Sequence, residues 1–476
     1  MNISNKQSNG WLIGVLAGGK STRMNSSVPK VLHTIAGKAM VQYVLESIRN
    51  ATEADISVVV PPNAKEIRNH LADNVSFVEQ PMPCGTGDAV RQLQTLSKTD
   101  ASSILIAYAD TPLIKPETIS KLIAKHESSN ATLTLLTSVS DAPNGYGRII
   151  RNATGNIVKL TEQSALEETQ LRNNEVNAGL YAFDNKWLWK ALEELKPSPN
   201  GEYYLTDLVE KAATSELLIE SVATENGVEG IGINDRKDLA KAEQVIRRYI
   251  LDDWMAKGVT IIDPSATYID AEVTIGKDTT IHPNTSILGQ SIVGERCTLG
   301  PNTIIRNSTI GDSVGVVASI IERAILKSEV AVGPFSHIRP DTVIEAKSNI
   351  GNFAEIKNSR VGENTSIGHF GYVGDSTVGN DVNIGAGTIT SNFDGETKYR
   401  TNIEDGAFIG SDTILIAPVK VGKRSYTAAG AVITKDVPDD NLAIGVPAEM
   451  KARTRKSEKT VNEEPKKSEL GEAELG

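Results

Sequence analysis

From Ile275 to about Val437 an aliphatic residue, often followed by glycine, returns every six positions. The cleanest frames are Ile350 to Ile356, Val361 to Ile367 to Val373, Val378 to Ile384, and Ile409 to Leu415 to Val421. An α-helix repeats near 3.6 residues and a half-exposed strand repeats at 2, so neither produces this pattern. A six-residue repeat supplies one short strand per hexad with its aliphatic side chain inward, and three hexads close one triangular coil of a parallel β-solenoid. Gly276, Gly294, Gly300, Gly311, Gly351, Gly362, Gly368, Gly379, Gly385 and Gly422 are expected to supply the backbone freedom of the corners. The longest polar interruption, Thr390 to Asn402 with Asn392, Asp394, Gly395, Lys398 and Arg400, is the first candidate for a binding loop that leaves the coil.

At 476 residues the chain is too long for one ordinary domain, so two cores are expected. A net charge of -11 argues against a nucleic-acid surface and suits an enzyme that binds anionic substrates through a few local cations. Cys84 and Cys297 form no metal-ligand or CxxC pattern, which suits a reducing cytoplasm. The apolar run Trp11 to Ala17 reads as a first strand rather than a signal peptide, and no stretch approaches membrane-spanning length. A cytoplasmic chain without membrane insertion is expected.

The first half alternates strand-like and helix-like runs, the pattern of a Rossmann-like, doubly wound α/β domain. Ile13 to Ala17, Ile56 to Val60 and Ile104 to Ala107 are its buried-strand candidates, with helices at Ala39 to Arg49, Ala64 to Leu71 and Asp88 to Leu96. Asp235 can cap a long helix carrying Leu239, Ala242, Ile246, Tyr249, Ile250 and Trp254 on one face. The expected boundaries are 1–234 for the α/β domain, 235–258 for a linker helix, 259–451 for the solenoid, and 452–476 for a charged tail too poor in aliphatic residues to order itself.

Ligands in such sheets sit beyond the carboxyl ends of the strands. Leu16-Ala-Gly-Gly-Lys-Ser-Thr-Arg23-Met24 follows the first strand there, with Lys30 close behind in Pro29-Lys30-Val31-Leu32. Small residues let the backbone approach a triphosphate, and Arg23 and Lys30 neutralise it. The Walker A spacing is absent, and a plain turn flanked by surface cations is the alternative. Tyr108-Ala109-Asp110 sets a carboxylate at another strand end, where it can ligate a hard cation or simply cap a helix. In the solenoid, Gly368-His369-Phe-Gly-Tyr372-Val-Gly-Asp375 carries an imidazole able to take a proton from an amine, or else a corner histidine held by backbone. Arg339 and Lys357 are cations among Gly-rich and aliphatic coils. His282 and His337 receive no role.

The glycine-rich run resembles the signature of sugar-1-phosphate nucleotidyltransferases. Joined to a hexapeptide solenoid, it resembles the bifunctional N-acetylglucosamine-1-phosphate uridylyltransferase and glucosamine-1-phosphate N-acetyltransferase family, from about Trp11 to about Ala448. The resemblance implies a left-handed parallel β-helix of hexapeptide repeats. It also implies acetyl transfer from acetyl-CoA to glucosamine 1-phosphate, then uridylyl transfer from UTP, giving UDP-N-acetylglucosamine for cell-wall precursors. On the nucleotide side it implies contacts from Leu16, Ala17, Gly18, Lys30, Gln80, Gly85, Thr86 and Tyr108. Mg²⁺ would be held by Asp110 and by Asn234 of Gly232-Ile233-Asn234, and the sugar side lined by Gly147, Glu162 and Asn177. Arg23 and Lys30 act on the pyrophosphate. On the solenoid it implies His369 as general base, with Arg339, Lys357, Tyr372 and Asn383 around glucosamine 1-phosphate. Ala386, Asn392, Phe393, Ser411 and Ala429 would lie along acetyl-CoA, in a homotrimer whose acetyltransfer sites are completed between subunits.

Four positions depart from that pattern. Gly18 replaces an alanine, Asp88 stands where histidine is usual and adds negative charge near the nucleotide, Phe393 replaces a tyrosine, and Val446 stands near an expected arginine. Lys451 or Arg453 would then have to serve the CoA phosphates. Two other readings stay open: a uridylyltransferase whose solenoid only trimerises, and a non-catalytic sugar-nucleotide sensor.

Overall fold

Trp11–Leu16 is the middle of a mixed sheet because both its faces are apolar and buried, which only a central strand tolerates. In the computed structural model, residues 10–452 are described apart from 20–21, 72–74, 97–100, 142 and 144, and apart from the side chains of Thr22 and Ser164. Parallel neighbours Ile56–Val60 and Ser103–Tyr108 flank this strand on its two sides. The order across the sheet is Ile219–Ala223, Leu133–Val139, Glu175–Asp184, Ser103–Tyr108, Trp11–Leu16, Ile56–Val60, Ser76–Glu79. Glu175–Asp184 runs antiparallel to both its neighbours in this order, so the domain is Rossmann-like with one reversed strand among these seven, and the hairpin Arg148–Arg151 and Ile157–Thr161 joins that strand to complete nine. That reversal has a purpose. It brings Asn177 and Gly179, at the start of their strand, beside the carboxyl end of Ser103–Tyr108, where the parallel strands deliver their ligand-binding turns.

The expected helices form as Met40–Ala51, Lys65–Leu71 and Thr86–Gln92, the last continued by a short 3-10 turn, Leu93–Leu96. Arg236–Ala256 starts at Asp235, whose carboxylate accepts the backbone N–H groups of Lys237 and Asp238 at 2.8 and 3.0 Å. Ala242 and Ile246 pack against Ile35, Met40, Leu113 and Ile233. Tyr249, expected on this face, is exposed, with the Lys115 ammonium 5.3 Å from its ring centre. The chain divides into two compact units, Met1–Thr274 with Ser286–Ser291, and Ile275–Thr285 with Ile292–Gly476. The expected tail lies outside the described residues from position 453 onward.

In the second unit the hexads wind into three parallel sheets, the left-handed β-helix of hexapeptide repeats. Every aliphatic residue of the cleanest frames is buried, from Ile350 to Val421. Successive coils pair in register, as in Asn349↔Ser366, Ala354↔Gly371 and Arg360↔Thr377.

The glycines act differently from expectation. Of the ten named above, only Gly300 has a positive φ. Left-handed corners are instead made by side-chain-bearing residues such as Asn302, Glu329, Lys347, Asn364 and Asp381. Most of the glycines are required by stacking: a Cβ at Gly311 would lie 2.7 Å from Ser328 N, and one at Gly385 would lie 2.6 Å from Ser411 N. Gly368 is the exception, with open space around its Cβ position. Gly311→Ala is therefore expected to destabilise the protein by about 2–3 kcal/mol in chemical denaturation. Gly315→Ala, whose Cβ would meet nothing within 4 Å at an ordinary φ, should be neutral or stabilising by up to ~1 kcal/mol.

Candidate functional sites

The carboxyl ends of Trp11–Leu16 and Ser103–Tyr108 open into a cleft of about 420 Å³ lined by Leu16, Gly18, Arg23, Lys30, Gln80, Gly85, Thr86, Tyr108, Asp110 and Asn234. Ala17 lies just beneath, buried, with its N–H on Val59 O at 2.8 Å. Lys20 and Ser21 of the glycine-rich run lie outside the described residues. Asp110 and Asn234 arrive from distant segments, tied by the Ile233 N–H to Asp110 O bond of 2.9 Å. Their oxygens converge on one cation: Lys30 Nζ lies 2.5 Å from Asp110 Oδ2 and 3.5 Å from Asn234 Oδ1. Arg23 Nη2 also donates to Asn234 Oδ1 at 2.9 Å.

On the Gln80 side of the cleft, Gly85 must be glycine. Its φ is +103°, and a Cβ would stand 2.8 Å from Tyr203 N. Thr86 then anchors the opposite wall by accepting the Leu205 N–H at 3.0 Å. Gln80 is 2 % exposed and donates its amide N–H groups to Gly85 O at 3.1 Å and Asp88 Oδ2 at 2.7 Å. The Asp88 carboxylate, expected to confront the nucleotide with negative charge, faces Gln80 and Gln92. Tyr204, Glu202 and Pro83 also line the cleft, and no spacing in the sequence singled them out.

Gly147, Glu162 and Asn177 meet next to Tyr108. The Asn177 N–H bonds Gly147 O at 3.0 Å, and a Cβ on Gly147 would lie 3.7 Å from Glu162 Oε2. Asn177 Nδ2 donates to the Tyr181 hydroxyl at 2.5 Å, and Tyr181 interacts with Tyr108, which reaches Thr86. Burial pushes both phenols well above the usual tyrosine range, so they remain neutral hydrogen-bonding groups. This chain of polar groups links the two ends of the site.

The solenoid site is built by register. The Arg339 N–H bonds Ile356 O at 2.8 Å, which sets Arg339 against Lys357 one coil on, while Tyr372 pairs with Glu355 on the same face. Arg339 Nη1 donates to Glu355 Oε1 at 2.6 Å. His369 is exposed at the corner that leads into Gly371–Gly374. The stacking of Gly385 on Ser411 and of Gly410 on Ala429 puts Ala386, Ser411 and Ala429 in one column beyond that corner. Asn383 belongs to the neighbouring face, paired with Ser366 and Phe408.

The polar interruption does leave the coil. Ser376 pairs with Thr401 across an excursion closed by the Phe393↔Lys398 bridge and by the Tyr399 N–H to Asn392 O bond of 2.8 Å. Phe393 is exposed there. Asp375, given no role from sequence, and Lys398, named there only as part of the candidate loop, organise this excursion. Asp375, buried at a left-handed corner, accepts amide N–H groups from Asn358 and from Asn392. Lys398 lies beside Lys357, whose ammonium lowers the Lys398 pKa. Both were visible in quoted segments, but only the fold reveals that the loop folds back over the Arg339 and Lys357 rung. Val446 is 72 % exposed at the turn of a closing hairpin that carries Lys451, paired with Leu442. Arg453 lies outside the described residues.

An α/β cleft lined by Arg23 and Lys30, and a solenoid of hexad coils, fit a nucleotidyltransferase domain joined to a hexapeptide-repeat transferase domain. Residues 14–232 match the nucleotidyl transferase family, and residues 272–307 match the bacterial transferase hexapeptide family of six repeats. Over 431 residues the chain is 41 % identical to the bifunctional protein GlmU of Shouchella clausii, spanning 90 % of this chain and 95 % of that one. It is 43 % identical over 431 residues to the same protein of a Geobacillus species, spanning 90 % and 94 %. To that of Caldanaerobacter subterraneus it is 42 % identical over 459 residues, spanning 96 % and 98 %. The chain belongs to the bifunctional GlmU family.

Glu162 gives this site a measurable pH signature. Burial, opposed by the Thr206 hydroxyl bond at 2.8 Å and aided by Asp207 and Glu202, raises its pKa above the ordinary value of 4.5. A raised carboxyl contributes stability that is fully present below the unfolded pKa and lost as pH rises through the folded one. Glu162→Gln, which can still accept from Thr206, should therefore melt higher than the parent at pH 7. The two melting temperatures should converge below pH 4.5.

Proposed function

We propose that this chain makes UDP-N-acetylglucosamine in two steps at two sites: acetyl transfer to glucosamine 1-phosphate on the solenoid, then uridylyl transfer from UTP in the α/β cleft. The observation that carries the reading is the convergence of Asp110, Asn234, Lys30 and Arg23 in one cleft, beside the amide and backbone groups of Gln80 and Gly85. In that cleft an oxygen of the sugar phosphate attacks the α-phosphorus of UTP in line, and pyrophosphate departs. Such a step needs positioning and charge neutralisation rather than a covalent nucleophile.

Asp110 and Asn234 suit Mg²⁺, because their oxygens already converge on a single cationic point. When bound, Mg²⁺ supplies positive charge to the phosphate oxygens. Lys30 and Arg23, released from Asp110 and Asn234, turn to the departing pyrophosphate. Gly147, Glu162 and Asn177 offer a backbone approach, a carboxylate and an amide to the hydroxyl and N-acetyl groups of the sugar.

On the solenoid, Arg339 and Lys357 hold the sugar phosphate, with Lys398 available as a third cation beside Lys357. His369 takes a proton from the amine as its nitrogen attacks the thioester carbonyl. Backbone N–H groups and Asn392 support the oxyanion, and the C–S bond breaks to release CoA as its thiol. Ala386, Ser411 and Ala429 leave a column without bulky side chains for the pantetheine arm, Phe393 lies beside it, and Lys451 takes the phosphate end. Tyr372 and Asn383 face the sugar. Asn383 lies on a different face from Arg339 and Lys357, which supports sites completed between subunits of a homotrimer. Phe335 and Phe353, stacked at 5.3 Å and 61 % and 60 % exposed, continue with Phe370 as an apolar corner ladder suited to that contact. The compartment is the cytoplasm. Both cysteines are free, and no helix among the described residues is long and apolar enough to cross a membrane.

Purified protein supplied with glucosamine 1-phosphate, acetyl-CoA, UTP and Mg²⁺ should release CoA and pyrophosphate as separate signals. His369→Ala should lower CoA release by at least about 100-fold while preacetylated substrate is still uridylylated. Asp110→Ala should do the converse. Loss of both signals in either folded variant would refute two independent sites, and pyrophosphate without any CoA release by the parent would favour a solenoid that only trimerises. Light scattering should report three chains per particle.

A further inference from the structure

Among the described residues, Gln80 is the one deeply buried side-chain amide in the wall of the nucleotide cleft, and its orientation is decided by its neighbours. Its backbone N–H is fixed on Val60 O at 2.9 Å. Its side-chain nitrogen faces Gly85 O at 3.1 Å and Asp88 Oδ2 at 2.7 Å, and both of these atoms can only accept. Turning the amide over would set Gln80 Oε1 against two oxygens. Asp88 is steadied from its other side by Gln92 Nε2, which lies 3.4 Å from Oδ1 and 3.3 Å from the Asp88 carbonyl. With its nitrogen engaged, Gln80 presents only Oε1 to the cleft, aimed at Gly18, where a Cβ would stand 2.9 Å from it.

We propose that Asp88 is a positioning residue for base selection: it locks the Gln80 amide with its oxygen toward the cleft, so that a pyrimidine carrying a ring N–H is favoured over one carrying a ring lone pair. Uracil donates from N3 and satisfies that oxygen. Cytosine places a lone pair there, leaving two acceptors face to face against an amide that is 2 % exposed. The proposal rests on the uridylyl-transfer reading above. A purely structural Asp88, serving only as an acid in the first turn of Thr86–Gln92, would change stability and leave base preference alone.

The test is steady-state pyrophosphate release with UTP, CTP and 5-methyl-UTP, using the full chain, N-acetylglucosamine 1-phosphate and Mg²⁺. In Asp88→Ala the kcat/KM ratio of UTP to CTP should fall about tenfold, mainly through a raised KM for UTP. The ratio of UTP to 5-methyl-UTP should not move, since both bases carry the same N3–H. Asp88→Asn, whose amide oxygen can still accept from Gln80, should restore the UTP to CTP ratio to within about twofold of the parent. If Asp88→Ala does not fold by circular dichroism, Asp88→Leu, close to aspartate in shape, decides instead. An unchanged UTP to CTP ratio in the folded variant, whatever its melting temperature, overturns the proposal and leaves uridylyl transfer standing. Absence of turnover with UTP by the parent overturns the underlying reading and the proposal with it.

Discussion

The separation of one coil from the next governs the solenoid. Parallel strands sit about 4.8 Å apart, and that spacing must hold at the corners as well as along the flat faces. At the corners the backbone of one coil therefore lies against the next, leaving no room for a Cβ at Gly276, Gly311, Gly362 or Gly379. Small hydroxyls complete the stacking. Ser348 Oγ donates to Gly362 O at 2.7 Å and accepts the Thr365 N–H at 3.2 Å, and Thr365 repeats the pattern one coil further on with Gly379 O and the Val382 N–H. These two buried hydroxyls are each satisfied by the coil that their own size allows to approach.

The same spacing makes the solenoid a ruler for chemistry. Residues one coil apart fall into columns without any local signal, so Arg339 meets Lys357 and Ala386 meets Ser411 although some 18 or 25 positions separate each pair. A column holds charges at fixed separation with little loss of side-chain entropy on binding, because the backbone is already placed. The loop after Ser391 depends on this scaffold too. Asp375 stands at a corner and ties Asn392 back to the coil, so a segment held by a single internal bridge, Phe393↔Lys398, still delivers Lys398 to Lys357.

The α/β unit solves a different problem, converging groups from segments far apart in sequence. The carboxyl ends of adjacent parallel strands bring Leu16 to Tyr108, and the reversed strand brings Gly179 against Tyr108, where a Cβ would lie 2.8 Å from the ring. The Lys30 and Asp110 pair is two-thirds or more shielded from water, which strengthens it and holds both groups in the cleft. A polyphosphate entering with its own cation would exchange one set of charge pairs for another rather than bury bare charge.

How much of this was legible in the sequence follows from whether the signal is local. The six-residue period predicted the buried column from Ile350 to Val421, because inward positions of a coil are set by chain spacing alone. Strand ends followed by Gly18 or Asp110 were legible for the same reason. The role of the corner glycines was misread, since a sequence does not say whether a glycine answers a dihedral or a neighbour, and only Gly300 among those named answers a dihedral. Asp88 shows the limit from the other side. As a departure from an expected residue type it read as an unfavourable charge near the nucleotide, yet its meaning depends on two amides, Gln80 and Gln92, that reach it from either side. Substitutions at a binding wall are therefore to be judged by the hydrogen-bond inventory of the groups they touch: an acceptor in that position dictates where a neighbouring amide must put its donor, and hence what the ligand meets.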